Sequence, residues 1–296
     1  MNLQTKPTEV ILGKIKNHYT KKRWMRILLV VAAVTGFCYW SNNSIQVTHI
    51  DYESDQLPES FDGCCIVQVS DLHNKKYALN NRALLKAINA ETPDYLMLTG
   101  DFVDGKSHTN FDNALYTMEQ LTEIAPCYYI AGNHEAGLKQ KGLSEYLAKV
   151  KEMGVRYLCN EQVLLTSAAG EQIHLVGMYN DSLQGTTLAN LVAKDDASVF
   201  HLVLAHEPQF FADYAETGVD LILSGHAHGG QFRIPFTHQG LYAPDEGVLP
   251  KYSEGVHEIG GSTMIISRGL GNSIFPQRLF NRPELVSITL HSTKAG

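Results

Sequence analysis

Five short segments between residues 71 and 229 concentrate the side chains that bind metal ions. They are Asp71-Leu72-His73, Gly100-Asp101-Phe102-Val103-Asp104, Gly132-Asn133-His134-Glu135, Ala205-His206-Glu207-Pro208 and Gly225-His226-Ala227-His228-Gly229. Aspartate supplies a hard oxygen, asparagine a neutral carbonyl oxygen and histidine a nitrogen. Seven such groups (Asp71, His73, Asp101, Asn133, His206, His226 and His228) suit a pair of borderline divalent cations such as Mn²⁺, Fe or Zn²⁺. An all-oxygen set would point to Mg²⁺ or Ca²⁺. Two cations ~3.5–4 Å apart can activate water and polarise a phosphoryl oxygen. The leaving group then needs a proton. His134, next to Asn133, is the candidate general acid, and Asp104, three residues after Asp101, the candidate carboxylate that orients it.

Each segment follows a short apolar run. Ile66–Val69, Tyr95–Leu98, Cys127–Ile130, Phe200–Leu204 and Leu221–Leu223 read as strands. Asn80–Ala90, Phe111–Ile124, Leu143–Met153 and Pro208–Glu216 read as helices. Strand–helix alternation predicts an α/β fold with helices outside a largely parallel sheet. Ligands in such folds collect beyond the carboxyl ends of the strands, where all five segments fall. Strand alternation would point residues two apart, Asp71 and His73 or His226 and His228, to one face. Further strands are expected at Val163–Leu165, Ile173–Val176, Met264–Ile266 and Val286–Ile288. The remaining histidines, His18, His49, His108, His174, His201, His238, His257 and His291, read as ordinary surface or core residues.

Ile27 to Trp40 is a 14-residue run without charge, flanked by Trp24 and Trp40. Residues 1–26 hold seven basic side chains and one acid, Glu9. This pattern predicts a basic tail over residues 1–26 and an uncleaved, single-pass membrane anchor over residues 27–44. The tryptophans would sit at the interfaces, the N-terminus in the cytoplasm, and the rest outside the cell membrane. A linker over residues 45–62 and a catalytic domain over residues 63–291 follow. The chain beyond residue 26 carries 17 basic and 30 acidic residues, a net of −13. So acidic a body argues against a nucleic-acid partner. The five cysteines form no CxxC pair, and the ones in apolar runs read as small buried hydrophobes.

Taken in order, D-x-H, G-D-x-x-D, G-N-H-E, a histidine at a strand end and G-H-x-H resemble the calcineurin-like metallophosphoesterase superfamily over roughly residues 60–290. The resemblance implies a four-layer α/β/β/α sandwich of two mixed sheets flanked by helices. It implies one cation on Asp71, His73 and His228, a second on Asn133, His206 and His226, and Asp101 bridging. It agrees with His134 as the acid and Asp104 as its partner. Gly225–Gln231 and Ser267-Arg268-Gly269-Leu270-Gly271 resemble a membrane-associated bacterial branch, some of whose members act on lipid-linked pyrophosphates. Protein phosphatases of the superfamily carry arginine directly after the second aspartate of G-D-x-x-D. Gly105 stands there instead, which weakens a phosphoprotein reading.

The expected activity is therefore hydrolysis of a phosphate ester or pyrophosphate, on a small-molecule or lipid substrate. The alternatives are a nuclease or nucleotide phosphodiesterase, and a non-catalytic scaffold that keeps the fold. Arg233, Arg268 and Arg278 are candidate phosphate clamps, because a guanidinium matches phosphate oxygens in a fork. The apolar residues around Phe232–Phe236 and Phe275–Phe280 read either as a site for an amphiphilic substrate or as plain core.

Overall fold

The computed structural model describes residues 7–105, 110–138, 140–179, 184–196, 198–273 and 275–294. Lys6 of the basic tail, His108 and Ile274 lie outside the described residues. One long helix, α1 (Pro7–Asn43), opens the chain. Within it Thr20–Asn43 is long and apolar enough to cross a membrane, about 36 Å at 1.5 Å per residue.

Two six-stranded mixed sheets follow. The first has the order β1 (Gln46–Ser54), β14 (Glu284–Ser292), β2 (Cys65–Val69), β3 (Tyr95–Leu98), β4 (Cys127–Tyr129), β5 (Arg156–Tyr157). The second has the order β12 (Gly255–Ile259), β13 (Ser262–Ile266), β9 (Leu221–Ser224), β8 (His201–Leu204), β7 (Gln172–Gly177), β6 (Glu161–Thr166). A hairpin, β10 (Tyr242–Ala243) with β11 (Gly247–Val248), stands apart.

Side-chain alternation builds the layers. Along β3, Leu96 and Leu98 face outward, where α2 (Arg82–Ala90), α3 (Asp112–Thr122) and α5 (Gln140–Glu152) cover them with Leu84, Met118 and Tyr146. Met97 faces inward and meets Leu202, Leu223 and Ile265 of the second sheet. On that sheet's outer face Val203, Ile222 and Met264 pack beneath α6 (Gln184–Val192) and α7 (Phe211–Ala215). The result is helices, sheet, sheet, helices.

Two segments differ from the sequence reading. The expected linker contains β1, which pairs in parallel with β14 along nine residues. Its partner lies more than 230 positions away, so no local pattern betrays it. The expected helix at Pro208–Glu216 is a 3₁₀ turn over Pro208–Phe210 followed by the short α7.

Candidate metal centre

Asp71 and His73 follow β2, Asp101 follows β3, Asn133 and His134 open α4 (Asn133–Ala136) after β4, His206 follows β8, and His226 and His228 follow β9. All five of these strands run parallel to a neighbour in their own sheet. Their carboxyl ends therefore meet at one edge of the sandwich.

The local backbone is not extended there. Asp71, His73, Asp101, His226 and His228 all have φ between 46° and 66°. Non-glycine residues seldom adopt this left-handed region, and five of them together is stored strain at a functional edge. Asp71 and His73 thus converge through two left-handed turns, not through strand alternation as the spacing suggested. The turns pack without side chains between them. A Cβ on Gly132 would lie 2.3 Å from Asp101 Oδ1, and one on Gly225 would lie 2.1 Å from Ser70 Oγ.

Seven lone-pair atoms face one another. His228 Nε2 lies 3.1 Å from His73 Nε2 and 3.5 Å from Asp71 Oδ1. Asn133 Oδ1 lies 3.1 Å from His206 Nε2 and 2.9 Å from His226 Nδ1. Asp101 Oδ2 stands between the two groups, 3.6 Å from His73 Nε2 and 3.3 Å from His206 Nε2. All six charged or imidazole members are buried. Burial disfavours a charged His206, yet Asp101 beside it carries the imidazole's pKa up to about 10. Burial also opposes the charge on Asp101, and His206 nevertheless holds that carboxyl well below its usual range. An interior that draws protons this strongly is a site for cations, which replace protons on the same lone pairs. The donor set therefore fits a pair of borderline divalent ions.

Neighbouring groups aim the ligands. His206 Nδ1–H donates to Thr99 O at 2.7 Å, leaving Nε2 for the centre. Asp245 Oδ2 lies 2.9 Å from His226 Nε2, leaving Nδ1 for the centre. The His226 backbone N–H donates to Asp71 Oδ1 at 3.1 Å. Glu135 is buried, and its carboxylate accepts N–H bonds from Asp101, Phe102, Val103 and Gly132 at 2.7–3.2 Å. The sequence reading assigned no role to Glu135 or Asp245. Glu135 had a signal, because an acid three residues after a helix N-cap reaches back to it.

His134 Nε2 lies 3.9 Å from Asp101 Oδ2. The Gly105 N–H donates to His134 Nδ1 at 3.1 Å, so the neutral ring carries its proton on Nε2, facing the centre. Burial lowers the pKa of His134 despite the nearby Asp101. Asp104 shares a cluster with His73 and His134. Its Oδ1 lies 3.3 Å from His73 Nδ1, so it also steadies His73.

The three arginines are engaged inside the protein. Arg233 pairs with Glu254, and Arg268 pairs with Glu284 at 2.7 Å. Arg278 is fully buried. It donates to the carbonyls of Gly271 and Arg268, and its Nη2 lies 3.2 Å from His228 Nδ1. They brace the centre's walls, and the structure presents none of them as an open clamp.

The apolar stretches are not core. Ile234, Phe236, Phe275 and Phe280 are exposed. Arg233 N donates to Leu279 O at 3.1 Å and Gln231 Nε2 to Phe275 O at 2.9 Å, which joins the two stretches. A small hollow lined by Ala227, His228, Tyr242, Pro244 and Phe275 adjoins the centre. The end of α1 docks on the same region. Gln277 Nε2 donates to Cys38 O at 2.9 Å, Arg278 N to Asn42 Oδ1 at 3.2 Å and Arg282 Nη2 to Ile45 O at 2.8 Å. Lys75 Nζ donates to the Asn42 carbonyl, one that the helix terminus leaves open. The Phe280 ring lies 5.2 Å from that of Phe37.

Residues 66–230 match the family model of the calcineurin-like phosphoesterases. The chain is 28% identical over 258 residues to the uncharacterized metallophosphoesterase YkuE of Bacillus subtilis, covering 86% of this chain and 88% of that one. It is 29% identical over 228 residues to the phosphodiesterase YaeI of Escherichia coli, covering 76% and 81%. A bovine transmembrane protein with a metallophosphoesterase domain is 25% identical over 265 residues, covering 83% and 57%.

Proposed function

The chain belongs to the calcineurin-like phosphoesterase family, and from that premise we propose that it hydrolyses a phosphate ester or pyrophosphate carried on an apolar group, at the surface of a membrane. The observation behind the hydrolase reading is the gathering of seven lone-pair atoms in two groups joined by Asp101, with His134 Nε2 beside them. Asp71, His73 and His228 would hold one cation, Asn133, His206 and His226 the other, and Asp101 both. A cation pair supplies Lewis-acid charge to a phosphoryl group and lowers the pKa of water.

The chain's own groups do the rest. His134 presents Nε2–H to the leaving oxygen. Its Nδ1 is occupied by the Gly105 N–H, so the neutral ring acts first as a hydrogen-bond donor to developing charge. Full proton transfer needs the doubly protonated ring, with a solvent proton on Nδ1 in place of the Gly105 N–H contact, so that a neutral imidazole remains afterwards. Asp104 holds the His73 ring, Asp245 the His226 ring, and Glu135 the two loops that carry Asp101 and Asn133.

Support for the lipid-linked substrate comes from the docking of α1. Phe37 belongs to the apolar run that would lie in the bilayer, and Phe280 packs against it. With that run in the bilayer, Phe280 would lie at its surface. Phe236, Phe275 and Ile234 are exposed as well, and Phe275 borders the hollow that His228 lines. The basic residues ahead of Ile27 favour a cytoplasmic N-terminus and an extracytoplasmic catalytic domain.

The test uses full-length protein in vesicles, loaded with Mn²⁺ or Zn²⁺. Hydrolysis of an isoprenyl pyrophosphate is compared with that of a soluble aryl phosphate and an aryl phosphodiester. Faster turnover of the membrane-borne substrate supports the reading. Preference for a soluble ester would leave a phosphoesterase whose anchor is only an address.

A further inference from the structure

His174, His201 and Asp195 form a second cluster of metal-binding side chains, apart from the catalytic edge. His174 lies on β7 and His201 opens β8, opposite one another in register. Asp195 comes from the loop between α6 and β8. His201 is five residues before His206, about 16 Å along an extended strand, so this cluster sits toward the other end of the sheet. Asp195 Oδ2 is 3.0 Å from His174 Nδ1 and 2.8 Å from His201 Nε2.

A hydrogen-bond network alone does not satisfy these groups. Gln162, on β6, turns its amide nitrogen to Asp195 Oδ2 at 3.0 Å and into close contact with His174 Nδ1. Its Oε1 is buried with no partner. His174 Nδ1 cannot both accept from Gln162 and donate to Asp195. With Asp195 Oδ2 the nearest acceptor for three donors, one contact is always left wrong, and the buried amide oxygen remains unsatisfied at a cost.

One change brings the lone pairs together. A half-turn of the Gln162 amide, which leaves its shape unaltered, puts Oε1 where Nε2 stands. Four lone pairs then face a common point: His174 Nδ1, His201 Nε2, Asp195 Oδ2 and Gln162 Oε1. Two nitrogens and two oxygens of this kind suit a tetrahedral Zn²⁺. We infer that His174, His201, Asp195 and Gln162 form a structural Zn²⁺ site, separate from the catalytic pair, that fastens the loop after α6 to the outer face of the second sheet.

The closing experiment counts metal. Full-length protein in detergent is stripped with chelator, reloaded with Zn²⁺, desalted and assayed by elemental analysis. His174→Ala/His201→Ala should retain one Zn²⁺ fewer per chain than the unaltered protein, with hydrolysis of a soluble aryl ester under Mn²⁺ still present. Asp195→Asn keeps the shape and serves if the double variant does not fold. It should also lose one equivalent. Co²⁺ added to the Asp101→Asn protein should give the intense visible absorption of a tetrahedral site, and the additional Asp195→Asn change should abolish it. Equal Zn²⁺ contents in all the proteins, or a Co²⁺ spectrum indifferent to Asp195, would overturn the assignment.

Discussion

The carboxylate of Glu135 accepts the backbone N–H of Asp101 at 2.9 Å, together with those of Phe102, Val103 and Gly132. One buried side chain after β4 therefore fixes the turn after β3 that aims Asp101 at the centre. Glu135→Ala would leave four buried donors without an acceptor, each worth ~1–3 kcal/mol. The expected outcome is a loss of stability of at least ~3 kcal/mol in thermal unfolding, with weaker metal retention. Glu135→Gln keeps one acceptor oxygen and should lose less.

Asp101 faces both ligand groups, so Asp101→Asn should empty the catalytic centre of both cations or nearly so. Asp245→Ala, which frees the far nitrogen of His226, should lower metal affinity by roughly 10–100-fold. Elemental analysis after desalting checks both. Full retention of the catalytic ions in Asp101→Asn would remove it from the bridging position.

His134→Ala should keep the metals and lower turnover by roughly 10²–10³. The loss should shrink on aryl esters with good leaving groups, which need little help from a donor. Equal losses on good and poor leaving groups would make His134 a structural residue.

The centre also predicts a pH effect in metal-free protein. Asp101 raises the folded-state pKa of His206 to about 10 from its ordinary value of 6.5. The stability gained is fully present below ~6.5 and is lost as pH rises through about 10. Burial lowers Lys75 to about 7, which tilts stability the other way over part of that window. Comparison with His206→Gln isolates the first effect: metal-free wild-type protein should lose more stability between pH 6.5 and 10 than the variant does. Metal loading should abolish the difference, because a ligating imidazole holds no proton there.

Phe236→Ser and Phe280→Ser should depress hydrolysis of a membrane-borne substrate while sparing a soluble ester. Each ring offers apolar surface worth up to a few kcal/mol on burial. Parallel loss on both substrates would instead mark them as fold determinants.

Much of this protein is legible along the chain, because the signals are local. The unbroken apolar run Leu96, Met97 and Leu98 announces β3 as a strand buried on both faces. The seven ligands sit in short segments at strand ends, and the charge-free run from Ile27 to Trp40 marks the apolar part of the longer helix α1. What the chain hides is every relationship between distant positions. No neighbour of Gln46–Ser54 reveals that this stretch pairs with Glu284–Ser292. Arg233 and Arg268 read as free phosphate clamps until Glu254 and Glu284 arrive beside them. Asp71 and His73 share a target through left-handed turns that only the close approach of Gly225 and Gly269 permits. His174 and His201 look like two ordinary histidines until parallel pairing of β7 and β8 sets them side by side and the loop after α6 brings Asp195 between them. Residue type decides what a side chain can bind, whereas the order of strands in the sheets decides which side chains meet.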